Sequence, residues 1–143
     1  MKFILLVLSF CIFLSAKDTV RFSTTNIVKD FKNKLIWVDD KTTVTIKQSH
    51  KEAEPYCENL VHAGLRNWRL PDIKELQTIV DKKNDITYII KEFKYALPDQ
   101  YWAIKAHART FWFYADYMHF ISGTPYYDNR NKKIYVRCVS SMK

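Results

Sequence analysis

Four histidines, three cysteines and a basic, tyrosine-rich stretch toward the C-terminus are the side chains of this 143-residue chain with the reach to do chemistry. His50, His62, His107 and His119 are dispersed, without the short spacing that turns two imidazoles onto one metal. They read as surface or packing residues rather than catalytic bases. Cys11 lies in an apolar leader, which leaves Cys57 and Cys138 for the mature chain. No Gly-x-Ser-x-Gly elbow, phosphate loop or dinucleotide fingerprint is present. The chain therefore reads as a non-enzyme, with no catalytic residue, metal ligand or cofactor expected.

What remains is "KAHARTFWFYADYMHFISGTPYYDNRNKK", residues 105–133. Alternate residues of strands built from it cannot all face one small core, so part of its aromatic set is expected outside. Lys105, His107, Arg109, Trp112, Tyr114, Tyr126, Tyr127, Arg130 and Lys132 form the candidate ligand-binding set. Rings of this kind stack on sugar faces, and the cations pair with sulfate or carboxylate groups. The alternative is that the rings pack the sheet or cover its edge. A formal charge of +8 favours acidic polysaccharides or anionic surfaces. It also fits a composition rich in Lys, Asn, Ile and Tyr with ordinary solvated lysines, and both readings stay open. Nucleic acid is not expected among the partners.

The elements that must position these residues begin after residue 16. "MKFILLVLSFCIFLSA" has one lysine, an apolar run of about a dozen residues and a small pair, the pattern of a signal peptide over residues 1–16. That run is shorter than the roughly 20 residues a spanning helix needs, so no stable membrane insertion is expected after cleavage. Phe10 precedes Cys11 where a lipoprotein needs a small residue. The rest reads as one domain over residues 22–140, periplasmic or secreted. In an oxidising compartment Cys57 and Cys138 are expected to form a disulfide.

Ile27 and Val28, then Leu35–Val38, bracket a polar turn and suggest a strand pair. Ser49 and Glu52 have capping-box spacing and open a helix expected to run toward Ala63 and stop at Gly64, although Pro55 allows a later start near Glu54. "GLRNWRLPDIKEL" follows, residues 64–76. Pro71 and Asp72 suit the start of a second helix whose stripe is Ile73, Leu76 and Val80. Between the helices Trp68 and Leu70 are expected to face the core, with Arg69 pairing Glu75 or backbone carbonyls. An irregular excursion with one helical turn follows, then three or four antiparallel strands.

Trp37, Cys57, Trp68, Arg69, Leu70, Pro71, Glu75, Leu76, Trp102, Arg137 and Cys138 occur in the order and spacing of a known pattern. It comprises an opening strand ending in Leu-x-Trp, a cysteine-bearing helix, a Trp-Arg-Leu-Pro hinge, a Tyr-Trp strand and a closing Val-Arg-Cys-Val strand. In this the chain resembles the Lcl C-terminal domain family. The resemblance implies an α+β, C-type-lectin-like fold, two helices packed on a small twisted antiparallel sheet with one disulfide, similar to that of formylglycine-generating enzymes. Those enzymes hold copper through paired cysteines, and none is left here once Cys57 and Cys138 are joined, so the activity is not carried over. Calcium-lectin triplets are only approximated by "LPDQ" and "NWRLPD". The chain departs from the family pattern at His50, where a tryptophan is usual, and at Ala103 and Ile104, where serines are usual.

The family takes its name from a collagen-like adhesin that binds sulfated glycosaminoglycans. The resemblance therefore implies an adhesin-like binding domain for an acidic polysaccharide or an envelope or host surface protein. The alternative is a structural periplasmic domain that contacts another protein.

Overall fold

The computed structural model describes residues 17–109 and 112–143, with side chains described for these except residues 108, 109 and 112. The leader read over residues 1–16 lies outside the described residues. Two sheets dominate. The first has four strands in the order β1 (Thr19–Phe22), β2 (Ile27–Asp30), β3 (Leu35–Val38) and β9 (Val139–Ser141). The second has five, in the order β4 (Lys47–Gln48), β8 (Ile134–Tyr135), β5 (Gln100–Arg109), β6 (Trp112–His119) and β7 (Thr124–Asn129). Neighbours are antiparallel except β5 and β8, which meet in parallel at Tyr101 and Tyr135.

This architecture corrects the α+β expectation of two helices on one small sheet. The fold is mostly β, with one helix of nine residues, α1 (His50–Glu58), and one of six, α2 (Ile73–Thr78). Each helix stops early for a local reason. α1 opens at Ser49, whose backbone N–H and hydroxyl both donate to Glu52 at 2.9 Å, and carries Pro55 inside. It ends at Asn59 rather than Gly64. Ala63 and Gly64, both at positive φ, instead form the two-residue turn of a tight hairpin in which His62 and Leu65 exchange backbone hydrogen bonds. α2 stops after Thr78 because Val80 bridges Ile89 as a strand would. Strand β1, rich in β-branched residues, was not marked by the sequence pattern.

The β2–β3 hairpin forms where it was expected, closed by the Asp30 carboxylate, which accepts from the Asn33 backbone at 3.0 Å and its amide at 2.6 Å. β9 returns to pair with β3, so the end of the chain completes the first sheet. Cys57 on α1 and Cys138 just before β9 are disulfide-bonded across 81 residues. The bond joins one apolar cluster that includes Trp68, Leu70 and Trp102, while a second gathers Trp37, Tyr101, Met118 and Phe120.

Arg137 is fully buried between these layers. Its guanidinium donates to Val38 O at 2.8 Å and to Tyr95 O, lies 3.5 Å from Asp39, and stacks over Phe93. Asp39 in turn accepts from Arg21 at 2.6 Å and from the Lys94 and Tyr95 backbones at 3.0 Å. This network fastens the irregular segment 79–99, whose one i→i−4 turn is closed by Tyr88 N–H donating to Asn84 O at 2.8 Å, onto β3. Among the described residues no helix is long and apolar enough to cross a membrane.

Candidate functional site

The hinge builds one wall of the site. Trp68 and Leu70 are buried, and the Trp68 indole N–H donates to Leu65 O at 3.2 Å. Arg69 points the other way. Its guanidinium grips Glu75 with two bonds, 2.8 and 2.6 Å, and reaches Leu70 O and the Ser141 hydroxyl. Glu75 also accepts from the Asp72 backbone N–H at 2.9 Å, while the Asp72 carboxylate accepts from Glu75 N at 2.7 Å and caps α2. Burial pushes the Glu75 carboxyl up, but the Arg69 hydrogen bonds, the Asp72 N–H and the Arg69 charge outweigh it and hold the group below its ordinary range.

The strands build the opposite wall. The β5–β6 register shifts between Trp102 and Ala106, where β5 bulges. Ile104 lies within this bulge, and its N–H donates to Pro71 O at 2.8 Å. That bond docks the start of α2 over the sheet. Beyond the bulge, alternation divides the candidate set between two faces. On one face His107 stacks on Tyr114, Tyr127 meets both rings edge-on at 5.4 and 5.5 Å, and His107 Nε2 lies 3.0 Å from Asp116. On the other, Tyr126 stacks on Tyr117 above the buried Trp102, Lys132 pairs with Asp128 at 2.7 Å, and Arg130 lies over Phe113.

Between α2 and the first face lies a cavity of about 480 Å³, lined by Asp72, Ile73, Lys74, Lys105, Asp116, Pro125, Tyr126 and Tyr127. Of the sequence-predicted set, Lys105 and Tyr127 line it, with His107 and Tyr114 packed beside Tyr127; Tyr126 borders it too, but its ring stacks on Tyr117 on the opposite face. Lys132 and Arg130 belong to the opposite face. The Asp128 hydrogen bond raises the Lys132 pKa, and that cation is already partnered. Arg109 and Trp112 pair at the end of the β5–β6 ladder, and their side chains lie outside the described residues. Asp72, Lys74 and Asp116 were missed. Only Asp72 carried a signal, as a helix cap; which way the cap faces depends on the bulge.

These motifs stand in the order and at the places one domain family requires, and that family matches residues 26–140. The chain belongs to the Lcl C-terminal domain family. No curated protein and no solved structure matches it. His50 and Ala103 are in contact. His50, fully buried at the start of α1, has its Nε2 2.8 Å from Ala103 O and meets Trp102 edge-on at 5.4 Å. Burial lowers its pKa, so the neutral ring donates from Nε2 while Nδ1 has no partner. His62 and His119 are half-buried packing residues, held by Asn26 O and by the Ser122 hydroxyl respectively. Among the described residues, no three His, Cys, Asp or Glu side chains converge as metal ligands.

Proposed function

We propose that this Lcl C-terminal domain is an exported, adhesin-like binding domain, periplasmic or secreted, whose cavity between α2 and the β5–β7 face takes an anionic sugar of an acidic glycan. The observation that carries the reading is the lining. Two lysines, Lys74 and Lys105, stand beside the half-exposed ring of Tyr127 in a cavity of about 480 Å³, within the range of small-ligand sites. Tyrosine offers a face for a sugar ring, and ammonium groups pair with its carboxylate or sulfate. The Asp72 and Asp116 carboxylates suit sugar hydroxyls as acceptors. They also disfavour a densely sulfated segment, so the best ligand carries one anionic group per ring. Export rests on the leader pattern together with a disulfide that persists in oxidising compartments.

Binding to a heparin-like polymer and to a uronic-acid polymer, measured at low and high salt, tests the reading. Affinity is expected to fall as screening rises. Lys74→Ala with Lys105→Ala should weaken it at least about tenfold, since each ion pair contributes on the order of 1 kcal/mol or less alone and more in a confined site. Arg130→Ala with Lys132→Ala, on the opposite face, should leave it nearly unchanged. Equal loss from both pairs would mean diffuse charge rather than a site. No binding to either polymer, with one envelope protein captured in stoichiometric amount, would favour the protein-interaction alternative, for which the exposed outer strand β7 is the natural surface.

A further inference from the structure

A second cavity, of about 500 Å³, opens on the other side of the hinge and shares no lining residue with the first. Ile36, Leu65, Arg66, Asn67, Ser140, Ser141 and Lys143 line it, none of them with a carboxylate side chain. Its construction follows from the β3–β9 pairing. Ile36 and Ser140 are directly opposed in register and so share one face of the sheet. Arg69 and Val139 exchange both backbone hydrogen bonds, which brings residues 66 and 67 alongside the end of β9. An apolar wall of Ile36 and Leu65 thus stands against a rim of cations and hydrogen-bond donors.

Those donors are idle. Among the described residues the Arg66, Asn67 and Lys143 side chains have no hydrogen-bond or ion-pair partner. Ser140 is fully buried, and its hydroxyl has no partner either. A buried unsatisfied hydroxyl is unfavourable by about 1–3 kcal/mol, so its presence at the base of a cavity calls for an acceptor that the protein does not supply. Arg69 donates to Ser141 and directs its own charge at Glu75, and among the lining residues no carboxylate side chain faces Arg66 or Lys143.

We propose that this cavity binds a small organic carboxylate, an anionic head on a short apolar body. The head pairs with the Arg66 fork and the Lys143 ammonium and accepts from Ser140, while the body lies on Ile36 and Leu65. Neither half of such a ligand is enough alone, because an exposed ion pair is weak in water and a short alkyl chain buries little area.

Three probes separate the contributions: hexanoate carries both halves, acetate the head and hexanol the body. Backbone amide shifts of residues 65–67 and 140–141 report binding. Hexanoate is expected to move them and to bind about tenfold or more tightly than either fragment. Arg66→Ala, at an exposed position, and Ser140→Ala, which removes only an unpartnered hydroxyl, should each weaken hexanoate roughly fivefold or more without lowering the melting temperature of the free protein. Hexanol matching hexanoate, either variant keeping the parent affinity, or shifts elsewhere than these residues would overturn the proposal. So would the absence of any shift at ~20 mM hexanoate, a ligand concentration matching an affinity too weak to be specific. None of these outcomes touches the glycan reading, which uses different residues.

Discussion

Arg69 with Glu75 in the hinge and Lys132 with Asp128 beyond β7 are ion pairs of nearly the same length, 2.6 and 2.7 Å, and only one of them positions anything. The hinge pair is a two-bonded fork whose carboxylate also holds the first turn of α2 and whose guanidinium touches β9. The β7 pair is a single contact between partners that are 42% and 36% exposed, four residues apart on one turn. Length alone therefore says little about what an ion pair does. What matters is how many separate elements meet at it, and whether water can take the place of either partner.

The largest expected effect removes the frame on which both pairs depend. Cys57→Ser with Cys138→Ser opens a link spanning 81 residues. On chain entropy that link is worth about 4 kcal/mol. Thermal unfolding of the variant should show a drop on the order of 20 °C for a domain of this size. A drop of only a few degrees would mean that the β3–β9 pairing closes the fold unaided.

Next comes the comparison itself. Arg69→Ala should lower stability by about 1–2 kcal/mol, a value reduced from that of a buried pair because the side chain is 35% exposed. Lys132→Ala should change it by less than about 0.5 kcal/mol. The Glu75 carboxyl lies below its ordinary pKa in the folded state, so the stability it contributes is present above its ordinary value of 4.5 and is lost as pH falls through the folded value. The gap between Arg69→Ala and the parent should thus narrow in acid. Denaturant titrations at neutral pH and near pH 3 read both quantities. Equal losses in the two variants would reverse the ranking of the pairs.

The same contrast explains what the sequence revealed. The hinge was legible because its interactions are local: Asp72 caps three residues on, Glu75 sits six from Arg69, and Pro71 marks the turn. The binding face was not, because its composition depends on pairings far apart in the chain. The two extra residues of the β5 bulge fix which of Lys105, His107 and Lys132 share a side, and nothing in "YWAIKAHAR" marks that bulge. The helix content was overread for a related reason. "NLVHAGL" has helical spacing of apolar residues, yet Ala63 and Gly64 turn it into a hairpin that seats the Trp68 indole. Arg137 carried a sequence signal only as part of the closing motif; its burial against Asp39 required β3 and segment 79–99 to come together.

The smallest effect concerns the buried histidine that joins α1 to β5. Burial lowers the His50 pKa below its ordinary 6.5, so in folded protein the ring stays neutral where the unfolded chain takes up a proton. The unfolded state then binds more protons, and stability must fall as pH drops below about 6.5. The slope cannot exceed about 1.4 kcal/mol per pH unit, the limit for one proton. Gln at this position keeps a side-chain donor for Ala103 O and does not titrate. Unfolding free energies of parent and His50→Gln, measured from pH 7.5 to 5, should run parallel above 6.5 and converge below it as the parent loses stability faster. The other three histidines are common to both proteins, so the difference between the curves isolates position 50. Parallel curves throughout would mean that His50 takes up its proton in the folded state as readily as in the unfolded one. The contact between α1 and the β5 bulge would then be open to water rather than sealed.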